Sequence, residues 1–278
     1  MPWRDVASPR AGRTISKSMK LAICYLYPDL MNTYGDRGNV LCLVRRCTWR
    51  GIEATVDHVT VGDRIDPRRY DLYFFGGGQD WQQAGVSADL HRGKGDAIRE
   101  GVESGAALLC ICGGFQLLAR YYRPFEGDDL PGTGLFDAWT VAGRRRMIGN
   151  TVVTITFAPL RSSAPDRPTL VGFENHSGKT YLGPSCQPLG VTTIGYGNNG
   201  EDRLQGAVYK NAIGCYLHGS LLPKNPHLAD YLIARALERR NGLLELPPLA
   251  DIDEWKAHEA ARQRARQTGN PGLVRRSK

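Results

Sequence analysis

Leu108-Leu109-Cys110-Ile111-Cys112-Gly113-Gly114-Phe115-Gln116 is the stretch on which the fold of this chain turns. The apolar run Ala107–Ile111 reads as a short strand covered on both faces, because it has no polar position to present to water. It runs into a cysteine, two glycines permit a tight turn, and helical sequence begins at once. This is a nucleophile elbow with cysteine in place of serine. Such a turn holds the thiol at the carboxyl edge of a sheet, where open α/β sheets keep their sites. The N–H groups and positive end of the next helix favour thiolate over thiol, and Gly113 lets a backbone N–H approach an oxyanion. Cys110, two residues earlier in the strand, is expected in the wall.

Working outward, strands are expected at Leu21–Tyr27, Ala54–Thr60 and Leu72–Phe75. Helices are expected at Val40–Trp49, Ser87–Glu103 and Phe115–Tyr122. Alternation of this kind builds a parallel sheet covered on both faces. After residue 130 the pattern becomes short strands with turn signals: Val152–Phe157, Leu170–Phe173, Gly190–Tyr196, Gly206–Tyr209 and Ile213–Leu217. These suggest an antiparallel section. Arg161–Arg167 reads as a surface loop. Helices near His227–Arg239 and Asp253–Arg266 follow, with Pro247-Pro248 between them. The expected fold is therefore α/β, an open sheet with a parallel core and an antiparallel edge section. The chain divides into a basic tail (1–19), a main domain (20–240), and a C-terminal helix with a second basic tail (241–278).

The formal charge of +8 on 278 residues does not mark a nucleic-acid surface. Residues 1–20 carry +4 and residues 262–278 carry +6, which leaves the centre at −2. The basicity belongs to the ends, not to a folded face. No apolar run is long enough to span a bilayer and the amino terminus lacks a signal-type apolar core, so a cytoplasmic protein is expected. The seven cysteines show no C-x-x-C pair, and no metal site is expected.

Two further elements support the elbow. Gly76-Gly77-Gly78 closes the third strand, and Gly77 or Gly78 could supply a second oxyanion donor. A cysteine nucleophile also needs an imidazole, usually distant in sequence. Of six histidines, His58, His91, His227 and His258 read as surface residues, whereas His176 and His218 stand at strand ends, the better positions.

At this point a resemblance enters. Cys112-x-Gly114-x-Gln116 matches the nucleophile motif of class I glutamine amidotransferases. Gly172-Phe173-Glu174-Asn175-His176-Ser177-Gly178 and Tyr216-Leu217-His218-Gly219 resemble the branch typified by cobyric acid synthase. More narrowly, Pro28–Asn39 (PDLMNTYGDRGN), FFGGGQDWQ from Phe74, GYGNNGED from Gly195 and LHGSLLPKNP from Leu217 resemble the GatD-type glutaminase subunits of lipid II isoglutaminyl synthases. The match spans roughly residues 20–240.

The resemblance implies a flavodoxin-like sheet and hydrolysis of L-glutamine, with Cys112 and His218 as the catalytic pair. It implies Arg146, from the run Arg144-Arg145-Arg146, and Gln116 as substrate-binding residues. It also implies a heterodimer with a Mur ligase partner of the MurT type. That partner would bind ATP and Mg2+ and use the ammonia to amidate the D-glutamate α-carboxyl of lipid II in peptidoglycan synthesis. This chain itself is expected to hold no cofactor: its Gly178-Lys179-Thr180 lacks the earlier glycine of a phosphate loop, Phe173 standing there. A cobyric-acid-type amidotransferase acting on another carboxylate is the alternative. Many class I enzymes carry glutamate two residues after the histidine; here Ser220 occupies that position. Glu174 is a candidate to replace it, and a Cys–His dyad is the other possibility.

Overall fold

The computed structural model describes residues 19–242 and 245–268. Strands β1 (Lys20–Leu26), β2 (Glu53–Val59), β3 (Leu72–Phe75) and β4 (Ala107–Ile111) alternate with helices α1 (Arg37–Thr48), α2 (Asp80–Asp89) and α3 (Gly95–Glu103). Helix α4 (Gly113–Leu118) follows the elbow. Then come the short strands β5 (Tyr121–Arg123), β6 (Leu130–Pro131) and β7 (Ala138–Val141), and the long strand β8 (Met147–Ile155). Helix α5 (Ala158–Ser163) leads into β9 (Thr169–His176), β10 (Lys179–Leu182), β11 (Gly190–Ile194), β12 (Leu204–Gln205), β13 (Ala207–Tyr209) and β14 (Ala212–Cys215). The described chain ends with α6 (Pro226–Asn241) and α7 (Ile252–Thr268).

The central sheet has the order β13-β14-β4-β3-β1-β2, parallel except for β13 at its edge. Alternation along its strands fills two cores. Leu21, Ile23, Leu72, Phe74, Leu109 and Ile111 pack on the side of Leu43 (α1) and Leu232 (α6). Cys24, Leu26, Tyr73, Phe75, Leu108 and Cys110 pack on the side of Val86 (α2) and Val102 (α3). A two-residue period with both phases buried is what a doubly covered sheet requires. Two smaller sheets, β12-β11-β8-β9 and β10-β7-β5-β6, flank it.

Several expectations need correction. Ile213–Leu217 does not extend the antiparallel section, since β14 lies parallel to β4 in the central sheet, Gly214 opposite Cys110. The helix expected over Phe115–Tyr122 stops at Leu118. Ala119 turns extended, and Tyr122 is buried by pairing with Leu130 and Thr140. The helix expected from Ser87 begins at Asp80 and is broken by a π turn at Leu90–Lys94, where Gly93 takes a φ of +112°. That turn buries Lys94 against Asp89, to which Tyr27 also donates. Residues 161–163 of the expected surface loop belong to α5.

His227 and His258 are buried, not exposed, because α7 folds back. Trp255 stacks on the His227 ring with centroids 5.2 Å apart, and His258 shares a hydrogen bond of 3.0 Å with Thr169. Ala265 joins Val152 and Val171 in a small core, so the segment after residue 240 packs on the preceding domain. Residues 1–18 of the first tail and 269–278 of the second lie outside the described residues.

Candidate active site

Cys112 sits between β4 and α4 with φ 50° and ψ −107°, a backbone region that L residues seldom adopt. The strain is held by neighbours on both sides. Cys112 N–H donates to Cys215 O at 2.9 Å, and Cys112 O accepts from Gln116 N at 2.9 Å. Cys110 is fully buried, donates weakly to Ile213 O at 3.6 Å, and has a thiol pushed well up by burial. It belongs to the wall.

Because β14 lies beside β4, its continuation carries His218 to the edge where Cys112 stands. Phe173 and His218 exchange backbone hydrogen bonds of 3.2 and 2.7 Å, fixing that end to β9. The meeting point is marked by Gly77: a Cβ there would lie 2.9 Å from His218 Cε1 and 3.3 Å from Cys112 Cβ. Burial lowers the affinity of the His218 ring for a proton. The negative charge at Cys112 and the Asp36 carboxylate more than offset this and push its pKa up to about 10.

The glycine loop folds over this pair. Gly77 N–H donates to Asp36 Oδ2 at 2.8 Å, and Gly77 O accepts from Thr33 N at 3.0 Å. Gly77 therefore has no N–H to spare for an oxyanion, which corrects half of the expectation for the triplet. Gly78 N faces Gly113 closely enough that a Cβ on Gly113 would lie 3.0 Å from it. Gly113 N–H, at the first position of α4, is one that a helix leaves without an internal partner.

An open cleft lies in front of Cys112 and His218. Its lining includes Gln116, Gln83, Tyr34, His176 and Arg146. Of the three consecutive arginines, only Arg146 reaches it; its Nε donates to Asn175 Oδ1 at 2.6 Å, whereas Arg145 turns to Tyr196. Gln116 is buried in the floor, accepting from Gln83 Nε2 and donating to Tyr216 OH, each at 3.1 Å. Tyr216 OH and the buried Thr180 Oγ1 continue the network.

His176 is not brought to Cys112 as a second base. Its ring stacks on Tyr216 with centroids 3.7 Å apart, Nδ1 donates to Gly178 O, and burial pushes its pKa down to about 4. Glu174 is turned away from His218 and receives the N–H groups of Tyr196 and Gly197 at 2.6 and 3.1 Å. That geometry removes it as the acid behind the histidine. Ser220 donates to Gly35 O at 2.8 Å. Sequence reasoning missed two neighbours of His218. Tyr34 meets its ring edge-on with centroids 5.0 Å apart, and Asp36 Oδ1 lies 3.5 Å from its Nδ1. Both lie in the quoted stretch Pro28–Asn39, but nothing local in that stretch points to a site on the far side of the sheet edge.

An elbow cysteine with a facing imidazole on an open parallel sheet, beside a glycine loop, is the arrangement that acyl transfer through a cysteine nucleophile requires. Solved structures agree on the fold: PurLQS from Thermotoga maritima superposes with a TM-score of 0.54 at 16% identity, covering 79% of this chain and 96% of that one. Residues 22–226 match the CobB/CobQ-like glutamine amidotransferase domain, and the chain belongs to that family. It is 39% identical to the GatD subunit of the glutamine-hydrolysing lipid II isoglutaminyl synthase of Streptococcus pneumoniae, over 84% of this chain and 87% of that protein. The cobyric acid synthase of Pelotomaculum thermopropionicum is 32% identical, over 53% of this chain and 29% of that much longer protein. The chain is thus a glutamine amidotransferase enzyme, similar to GatD subunits over nearly its whole length and to cobyric acid synthases over about half of it.

Proposed function

We propose that this protein is the glutaminase subunit of a lipid II isoglutaminyl synthase and supplies ammonia to a MurT-type ligase. That partner binds ATP and Mg2+ and activates the D-glutamate α-carboxyl of lipid II, which the ammonia converts to the amide. A cytoplasmic location fits this reaction, and among the described residues no helix is long and apolar enough to cross a membrane. The observation that carries the chemistry is the convergence of Cys112 and His218 on Gly77. The acceptor is supported by similarity running the length of the GatD subunit, whereas the cobyric acid synthase match stops at a fraction of that protein.

In the proposed reaction Cys112 Sγ attacks the side-chain amide carbon of glutamine. The oxygen that gains charge is met by the N–H groups of Gly78 and Gly113. The His218 imidazolium gives its proton to the nitrogen, the C–N bond breaks, and ammonia leaves a γ-glutamyl thioester on Cys112. Neutral His218 then takes a proton from water as the water attacks. Collapse releases glutamate and restores the thiolate–imidazolium pair. Arg146, the cation lining the cleft, holds the α-carboxylate of the substrate, and Gln116 shapes the floor beneath it.

The test is reconstitution with the ligase subunit and lipid II. Glutamine-dependent amide formation that is lost with Cys112→Ala supports the reading. Glutamine hydrolysis with amidation of a different carboxylate acceptor instead would reject the lipid II assignment.

A further inference from the structure

A catalytic histidine must be held in one orientation and tautomer, and the usual means is an acid hydrogen-bonded to its second ring nitrogen. The position two residues after His218 cannot serve, because Ser220 carries no charge and donates its hydroxyl to Gly35. Glu174 is committed to Tyr196 and Gly197. Among the described residues one carboxylate remains beside the ring. We propose that Asp36 is the positioning residue of this site, orienting His218 through one oxygen and fixing the oxyanion loop through the other.

Asp36 and His218 are both fully buried. Asp36 Oδ1 stands 3.5 Å from His218 Nδ1, and among the described residues neither atom has another hydrogen-bond partner. Two buried polar atoms of opposite kind, each unpaired and facing the other, are explained if they close on each other during the reaction. Asp36 Oδ2 already holds Gly77 N–H at 2.8 Å. One side chain therefore sets the distance between the imidazole and the loop that carries Gly78.

Asp36 is itself anchored from both sides. It immediately precedes α1, where Asn39 Oδ1 accepts from Leu222 N at 2.9 Å, and Gly35 O takes the Ser220 hydroxyl at 2.8 Å. The loop before α1 is thereby tied to the segment running on from His218. The groups facing His218 are Cys112 from the elbow, Asp36 and the Tyr34 ring from this loop, and His176 from β9. Among them Asp36 alone is a carboxylate.

The proposal rests on Cys112 and His218 as the glutaminase pair, and the experiment keeps the two apart. Glutamine hydrolysis by the full-length chain, and its loss with Cys112→Ala, tests the pair before any change at Asp36. Asp36→Asn then keeps an oxygen for Gly77 N–H and removes the charge. Turnover should fall by about 10²–10⁴-fold. The alkaline limb of the pH–rate profile should move down by about one unit or more, because the imidazolium loses its opposite charge. The pH dependence of Cys112 alkylation by iodoacetamide should move with it. Asp36→Glu, which keeps the charge but displaces it, should lower turnover and leave the limb near its original place. If Asp36→Asn does not fold, that second variant decides the matter, and a limb displaced in Asp36→Glu overturns the proposal. Reduced turnover in Asp36→Asn with an unmoved limb would mean that Asp36 only shapes the loop, which also overturns it.

Discussion

Gly77 and His218 are so close that the glycine has no room for a side chain: a Cβ would lie 2.9 Å from Cε1 of the imidazole. The same methyl would lie 3.3 Å from Cys112 Cβ and 3.4 Å from Asp36 Oδ2. Relief would have to come from the elbow, the imidazole or the carboxylate, all of them held in place. Gly77→Ala should therefore reduce glutamine hydrolysis by at least about 10²-fold, as misplacement of about 1 Å does at other sites. Circular dichroism should show the fold retained, and ammonia release measures the activity. Activity within a few fold of the parent would show that the loop and ring are not packed as described.

The two cysteines of the elbow strand make a paired prediction. Cys112→Ala should abolish ammonia release. Cys110→Ala should lose little activity, because its sulfur faces the α2–α3 side of the sheet and is fully buried. Its cost is to stability, about 1 kcal/mol for deleting one buried sulfur-sized group. Mass spectrometry after brief treatment with iodoacetamide should find label on Cys112 and not on Cys110.

Arg146 should separate from its two neighbours in kinetics. Losing a charge-assisted hydrogen bond to the α-carboxylate of the substrate costs about 1.5–3 kcal/mol, or roughly 10–150-fold in binding. Arg146→Ala should raise KM for glutamine by that order with a smaller change in kcat. Arg144→Ala should change neither by more than a few fold, since Arg144 does not line the cleft. Equal effects from both would show a diffuse basic field in place of one contact.

The charge state of His218 also makes stability depend on pH. Its pKa is raised in the folded protein from 6.5 to about 10, so the native state keeps a proton that the unfolded chain releases in between. The resulting stabilisation is complete below pH 6.5 and is lost as pH rises through about 10. Urea midpoints measured from pH 6.5 to 10 should fall for the parent and fall less for His218→Gln. Parallel slopes for the two would place the proton elsewhere.

The elbow was legible because its signal is local. Five apolar residues, a cysteine and two glycines fix strand, turn and helix without help from the rest of the chain. The strand spans Leu72–Phe75 and Ala107–Ile111 came out as expected for the same reason. Ile213–Leu217 shows the opposite case, since an apolar run indicates a strand but says nothing about its partner. Its place beside β4 is what brings His218 to Cys112. Asp36 and Glu174 show a further limit: sequence supplies candidate carboxylates, and only the direction of each side chain selects between them. His227 and His258 were misread because their burial depends on α7 returning across a proline-rich connection, a contact of high sequence separation.

Arg46 holds that return in place. Its side chain is 1% exposed, with Nε and Nη2 on Asp230 of α6, and Nη1 and Nη2 on Asp251 just before α7, at 2.7–2.9 Å. Arg50 adds a contact to Asp230 at 2.7 Å and one to Pro247 O at 2.8 Å. One buried cation thus joins α1, α6 and the connection into α7. Removing Arg46 leaves Asp251 without this cation and Asp230 with Arg50 alone, and breaking a buried pair in this way costs about 3–5 kcal/mol. Arg46→Ala should lower the urea midpoint accordingly. Replacing the whole group (Arg46→Met and Arg50→Met with Asp230→Leu and Asp251→Leu) should recover much of the loss, because well-packed apolar side chains often equal a buried ion pair. In Arg46→Ala the glutaminase rate per folded molecule should stay near that of the parent, since no member of the cluster lines the cleft before Cys112. A large fall in that rate would mean that the return of α7 is coupled to the active site, contrary to the separation seen here.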